Sequence, residues 1–269
     1  MARVACIQLA LDDSLTKEQR ISTVEGLLDR EKGADLILLP ESWPVGFFSF
    51  DRYEEASEPL QGLIADRMST KAKELGAYLL AGSFIEREGD KLYNTSLFFD
   101  PSGSLLAAYR KIHLFGYGSR ESEILTRGSQ VVVVDTALGK IGLSTCYDLR
   151  FPELYRQMVD LGAEIFLVTS AWPYPRVEHW TVLNRARAIE NQAYLISCNF
   201  GGTNCGKPFL GRSMVVDPWG TVLATAGDGQ AVVRAEIDRE VVASCRQEFP
   251  PLRDRILRWP EKCPGGGIQ

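Results

Sequence analysis

Histidine is scarce in this chain. There are only two in 269 residues, His113 and His179. They stand far apart and no H-E-x-x-H is present, which argues against a histidine-based metal centre. The six cysteines, at 6, 146, 198, 205, 245 and 263, include no C-x-x-C pair. A set so scattered in a chain of this size speaks against a disulfide framework and for free thiols in a reducing compartment. No apolar run approaches the roughly 20 residues of a spanning helix. ADLILLP and VVVV are the longest, and MARVACIQLALDDS brings in acids where a secretory signal would stay apolar. A cytoplasmic protein without a membrane partner is expected. There is no concentrated Lys/Arg run either. Thirty basic residues face 35 acidic ones for a net charge of -5, a balance unsuited to nucleic acid. Gly-rich GGTNCG lacks the phosphate-loop pattern and a following helix, and no long-period repeat marks a solenoid.

The chain does contain 45% apolar and 24% charged residues, as an ordinary globular protein does. Strand-like segments (VACIQLA, ADLILLP, AYLLAGSFIE, AEIFLVTSA, AYLISCNF) alternate with stretches of helical spacing, among them FPELYRQMVDLG and VEHWTVLNRARAIENQ. Hairpins are expected about Asp100-Pro-Ser-Gly103, at ALGK and about Asp217-Pro-Trp-Gly220. They interrupt the alternation that an eight-fold barrel needs. An α/β single domain of two mixed sheets covered by helices fits better, spanning 1–248. The irregular tail 249–269, with PP and PGGG, is expected to pack elsewhere on the protein or on a partner subunit.

Three polar residues directly follow apolar strands: Glu41 after ADLILLP, Lys111 after LLAAYR and Cys146 after IGLST. Ligands of open α/β sheets gather outside the carboxyl ends of strands, so one crevice could hold all three. Singly, each has a plainer reading: a solvated acid, a surface cation, a packed thiol. Together they make a chemical set. The thiol attacks a carbonyl, the acid carries its proton to a leaving amine, and the lysine meets the oxyanion with the N–H of Tyr147. Lys111 and the helix beginning near Pro152 are both expected to favour thiolate. His113, two residues beyond Lys111, is the less favoured candidate base. His179 and Trp180 are expected to pack at a helix start.

The blocks LLPES, YRKIHLF, GLSTCYDLRFPE, HWTVLNRARAIENQAY and DPWG occur in that order, and through them the chain resembles the nitrilase superfamily of carbon–nitrogen hydrolases. The resemblance implies a four-layer α-β-β-α sandwich, a Glu41–Lys111–Cys146 triad, no metal or organic cofactor, and a homodimer or larger assembly built through helices near the site. It also implies a second glutamate before the glycine of a turn that reads Thr126-Arg127-Gly128 here. That turn selects Glu121 over Glu123, although arginine stands where the family usually has proline. Tyr147-Asp-Leu-Arg150 after the nucleophile is similar to the omega-amidase branch. The implied substrate is a small primary amide, the monoamide of a short dicarboxylate such as 2-oxoglutaramate. Deaminated glutathione or another aliphatic amide is the near alternative, acyl transfer a further one, and a catalytically silent scaffold the alternative of another class. A carboxylate-bearing substrate needs a cation, which Arg150 or Arg176 could supply unless Arg150 pairs with Asp148 or Glu153. Phe47, Tyr117, Trp172 and Tyr174 neighbour strand ends and are candidate pocket walls, with Tyr147.

Overall fold

A strand that is apolar throughout needs cover on both faces, and the runs at 36–39, 165–169 and 194–198 each lie inside a sheet. The computed structural model describes residues 1–10 and 12–257. The first half begins with β1 (Ala2–Gln8) and α1 (Lys17–Leu28). A reciprocal cap starts α1: the Gln19 N–H donates to Thr16 Oγ1 and the Thr16 N–H donates to Gln19 Oε1. Then come β2 (Leu36–Leu38), the single-turn α2 (Tyr53–Ala56), α3 (Leu63–Leu75) and β3 (Tyr78–Glu88). β4 (Lys91–Phe99) and β5 (Leu105–Arg110) form the expected hairpin.

The second half runs α4 (Glu121–Ile124), β6 (Val133–Thr136), β7 (Gly139–Thr145), α5 (Pro152–Asp160) and β8 (Ile165–Thr169). Pro152 opens α5, where a missing N–H costs nothing. α6 (Val177–Asn191) and β9 (Tyr194–Cys198) follow. The Gly-rich stretch folds into a small hairpin, β10 (Thr203–Asn204) and β11 (Lys207–Pro208). β12 (Met214–Val216), β13 (Val222–Thr225), β14 (Ala231–Ile237) and α7 (Arg239–Glu248) complete the fold.

The first sheet has the order β14-β1-β2-β3-β4-β5 and the second β13-β12-β9-β8-β7-β6. Each is parallel at its centre and antiparallel towards its edges. Their inner faces meet in one apolar layer, with Cys6, Leu38 and Phe98 against Leu143, Leu167 and Cys198. The outer face of the first sheet is covered by α1 and α3 through Val24, Leu28, Met68 and Ala72. That of the second is covered by α5 and α6 through Tyr155, Met158, Trp180 and Ala188. The result is a single-domain α-β-β-α sandwich.

One backbone feature aims the site. Gly82 breaks the β3–β4 register at φ 67°, where a Cβ would lie 2.2 Å from the carbonyl oxygen of Pro40. Only glycine lets β3 pass so close to the segment carrying Glu41. Helix α7 has no counterpart in the sequence expectation. It buries only Val242 and Cys245, too few apolar positions to show a periodicity, and its start is marked by the Asp238 cap on the Glu240 N–H. Of the tail expected to pack elsewhere on the protein or on a partner subunit, residues 258–269 lie outside the described residues. In the part described, Leu252 packs on the outer core of the second sheet and Arg255 pairs with Asp160 of the same chain.

Candidate active site

Four strand ends converge on one point. β2 delivers Glu41, β5 delivers Lys111, β7 delivers Cys146 and β8 delivers Ala171. The Glu41 and Lys111 side chains are wholly buried, as is Glu121 at the start of α4. The three protons of Lys111 Nζ meet Glu41 Oε1 at 2.7 Å and the two oxygens of Glu121 at 3.0 and 2.9 Å. Two backbone donors fix the carboxylates from outside. The Ala171 N–H reaches Glu41 Oε2 at 2.9 Å, and the Phe115 N–H reaches Glu121 Oε2 at 2.7 Å. Asn94 on β4 lies between them, its Nδ2 donating to Glu41 Oε1 at 2.8 Å and to Glu121 Oε1 at 2.9 Å. Glu123 points outward beside Arg120, so of the two glutamates it is Glu121 that faces Lys111.

Cys146 starts a 3-10 turn, Cys146–Arg150, with φ at 47°. A non-glycine residue rarely adopts that backbone, and surrounding structure must hold it there. Asp148 does much of the holding. It is fully buried and its Oδ2 accepts from the Thr145 N–H at 2.9 Å and from the Tyr109 hydroxyl at 2.6 Å. Its Oδ1 meets the His113 N–H at 3.0 Å and His113 Nδ1 at 2.7 Å. One carboxylate thus fastens the β5 segment bearing Lys111 to the β7 segment bearing Cys146. His113 is occupied by Asp148 and stacks on Phe151 at 3.7 Å, so it has no position as the base.

The charge balance differs from the sequence expectation. Burial raises the Cys146 thiol well above the ordinary cysteine value, and the negative charge of Glu41 adds to it. Lys111 opposes, but its single charge is shared between two carboxylates, so the surroundings disfavour the thiolate that the sequence led one to expect. The α5 start is separated from the sulfur by the intervening turn. Burial alone would pull Lys111 down, yet Glu121 and Glu41, with Cys146 behind them, hold it well above the ordinary lysine value. Burial raises Glu121 against the pull of Lys111. A thiol beside a carboxylate fixed by several donors suits proton transfer between the two.

Cys146 lies in a small, largely apolar cleft. Phe47, Phe115, Tyr147 and Trp172 wall it, and Arg150 and Arg176 stand at its rim. The Arg150 guanidinium lies 4.6 Å over the Trp172 ring, and Arg176 lies 5.3 Å over Phe115. Neither arginine has a carboxylate within ion-pair distance among the described residues, so Arg150 pairs with neither Asp148 nor Glu153. Burial lowers the Arg150 guanidinium from its ordinary value, with Tyr147 opposing and Arg176 adding.

Other placements correct the sequence reading. Tyr117 is 80% exposed and does not line the cleft, because the loop turns outward at Gly118, φ 62°. Tyr174 turns to Asp228 instead, at 2.7 Å. Trp180 packs in the core as expected, but His179 is exposed and meets Arg150 at 3.2 Å. Asn94 and Phe115 were not anticipated. The signal for Asn94 is an amide in the middle of the apolar strand KLYNTSLFF; Phe115 gives none, since its contribution is a backbone N–H.

The family model described as carbon-nitrogen hydrolase matches residues 3–247. Among curated proteins, the chain is 39% identical to the 2-oxoglutaramate amidase of Paenarthrobacter nicotinovorans, over 94% of this chain and 88% of that one. It is 35% identical to the omega-amidase NIT2 of Homo sapiens over 94% of each. Among solved structures, Nit3 of Saccharomyces cerevisiae, a member of branch 10 of the nitrilase superfamily, superposes with a TM-score of 0.81 at 33% identity. That match covers 93% of this chain and 94% of the other.

Proposed function

The chain belongs to the carbon-nitrogen hydrolase family, and from that premise we propose that it is an omega-amidase, releasing ammonia from the monoamide of a short dicarboxylate such as 2-oxoglutaramate. Cys146 Sγ attacks the amide carbonyl as its proton passes to Glu41. Lys111 exchanges one of its two contacts with Glu121 for the oxyanion, joined by the N–H of Tyr147. Glu41 returns the proton to the leaving nitrogen, ammonia departs, and a thioester remains on Cys146. Glu41 then takes a proton from water positioned by Glu121. The hydroxide adds to the thioester, and collapse releases the carboxylate and the thiol.

The observation that carries the substrate reading is the pair of arginines without carboxylate partners at the rim of a small aromatic cleft. A carboxylate at the far end of the substrate would supply the missing charge. Ammonia release from 2-oxoglutaramate, succinamate, deaminated glutathione and a simple nitrile, with Cys146→Ala alongside, tests this. Release from the first two, lost in the variant, is expected. Release only from the nitrile would overturn it.

The protein also acts as a homodimer in this reading. Support comes from exposed Val182 and Ile189 on α6, with Gly220 of the adjoining turn close against Ile189 and its neighbour Trp219 exposed. A single-subunit mass in light scattering at micromolar concentration would refute it. A reducing, cytoplasmic setting is supported by unpaired Cys6, Cys146, Cys198, Cys205 and Cys245. No described helix is long and apolar enough to cross a membrane.

A further inference from the structure

Two buried carboxylates that share one ammonium pose a problem of their own. With all three ionised, the cluster of Glu41, Glu121 and Lys111 carries a net negative charge out of contact with water. Neighbouring carboxylates in such a place drive one of the pair to bind a proton. If Glu41 held that proton at rest, it could not receive the one from Cys146. Lys111 alone does not resolve this, since its three N–H bonds are already spent, one on Glu41 and two on Glu121.

The remaining donor between the two acids is Asn94. It lies on β4, 1% exposed, and its own carbonyl accepts the Lys111 N–H at 2.9 Å. Its amide gives one N–H to each glutamate, on the same oxygens that Lys111 approaches. The orientation is set by those neighbours, for the reversed amide would turn its oxygen on two carboxylates. Asn94 Oδ1 has no hydrogen-bond partner among the described residues. Packing stability alone does not favour a buried amide with an unpaired oxygen, whereas a neutral group with two donors answers the charge problem directly. Serine has one donor, and aspartate would add a third carboxylate.

We propose that Asn94 is a positioning residue that holds Glu41 and Glu121 ionised side by side at a fixed spacing, so that Glu41 rests as a free base facing Cys146. This rests on the triad chemistry above, and a readout independent of substrate separates the two. The rate of Cys146 alkylation by iodoacetamide, followed on the Cys146 peptide by mass spectrometry, is measured against pH in wild type and in Asn94→Leu. Removing both donors should move the acid-side limb of that profile upward by about one pH unit, and the limb of kcat/KM with it. Asn94→Ser keeps a single donor should the leucine variant not fold, and a smaller upward displacement is expected of it. A folded variant with the wild-type limb, altered only in melting temperature, would make Asn94 a packing residue and end the proposal. Absence of ammonia release from wild type, with the alkylation limb still displaced, would instead refute the substrate assignment and leave Asn94 its role.

Discussion

Arg150 and Arg176 act, in the proposed reaction, on a part of the substrate that undergoes no bond change. Their loss should therefore weaken binding of the charged substrate only. Replacing either by leucine is expected to raise KM for 2-oxoglutaramate about tenfold or more, from roughly 1.5–3 kcal/mol for a charge-assisted hydrogen bond. KM for a neutral amide such as propionamide should stay within about twofold. Equal loss on both substrates would remove the carboxylate clamp. The two candidate second glutamates separate as sharply. Glu121→Gln is expected to lower kcat by about 10²-fold or more, because a buried partner of Lys111 loses its charge. Glu123→Gln, on an exposed side chain, should leave kcat unchanged. Reversal of that order in steady-state kinetics would move the assignment to Glu123. Glu41, Lys111 and Cys146 were legible because each directly follows an apolar strand. The upward shift of the Cys146 thiol was not, because it depends on burial and on how many carboxylates share one lysine, which no local pattern records. Asn94 escaped for a related reason: its partners lie 27 and 53 positions away along the chain.

At the level of elements, the site is a set of strand ends locked together by a few buried polar groups. The alternation of apolar strands and amphipathic helices foretold β1–β3, β8, β9, α1, α3, α5 and α6 because each buries a continuous stripe against a sheet, and turn signals foretold the hairpins β4–β5, β6–β7 and β12–β13. It did not foretell α7 or the β10–β11 hairpin. α7 contributes two buried residues, and the hairpin is held by tertiary contacts such as the Phe48 N–H donating to Asn204 Oδ1 at 2.7 Å. The lock that matters most for chemistry is Asp148, which joins the end of β5 to the turn after β7. Asp148→Asn conserves shape but replaces one acceptor oxygen by an NH₂ group. The Tyr109 hydroxyl and the His113 ring can reverse their roles, whereas the N–H groups of Thr145 and His113 cannot. One of those two is left without an acceptor, at a cost of about 1–3 kcal/mol. Because Thr145 precedes the strained Cys146, kcat should also fall about tenfold or more with little change in KM. Denaturant unfolding and steady-state kinetics on the same preparation check both halves. A stability loss with unchanged kcat would confine Asp148 to the fold.

Across the whole molecule, the layer where the two sheets meet makes the protein depend on pH in one direction. Burial raises Cys6 on β1 far above the ordinary thiol value, and it does the same for Cys198 on β9, with Cys6 adding. Cys146 shifts the same way, and burial, with Asp148 behind it, raises the Tyr109 hydroxyl. Below the ordinary thiol value of about 8.5, the folded and unfolded chains both keep these protons. Above it, the unfolded chain releases thiol protons that the folded chain still holds, so stability falls as pH rises, by about 1.4 kcal/mol per pH unit for each such group. Lys111, also raised, works in the same sense once the pH passes the ordinary lysine value of about 10.4. No compensation among these groups is available, because their shifts share a sign. Urea unfolding at pH 7.5 and pH 9.5 should therefore show a loss of several kcal/mol at the higher pH. Replacing Cys6 by alanine should lower stability at pH 7.5 through the lost packing, yet make the decline towards pH 9.5 shallower. A parallel decline in both proteins would mean that the Cys6 thiol ionises as readily in the folded chain as in the unfolded one, and that the contact between the sheets admits more water than its packing implies.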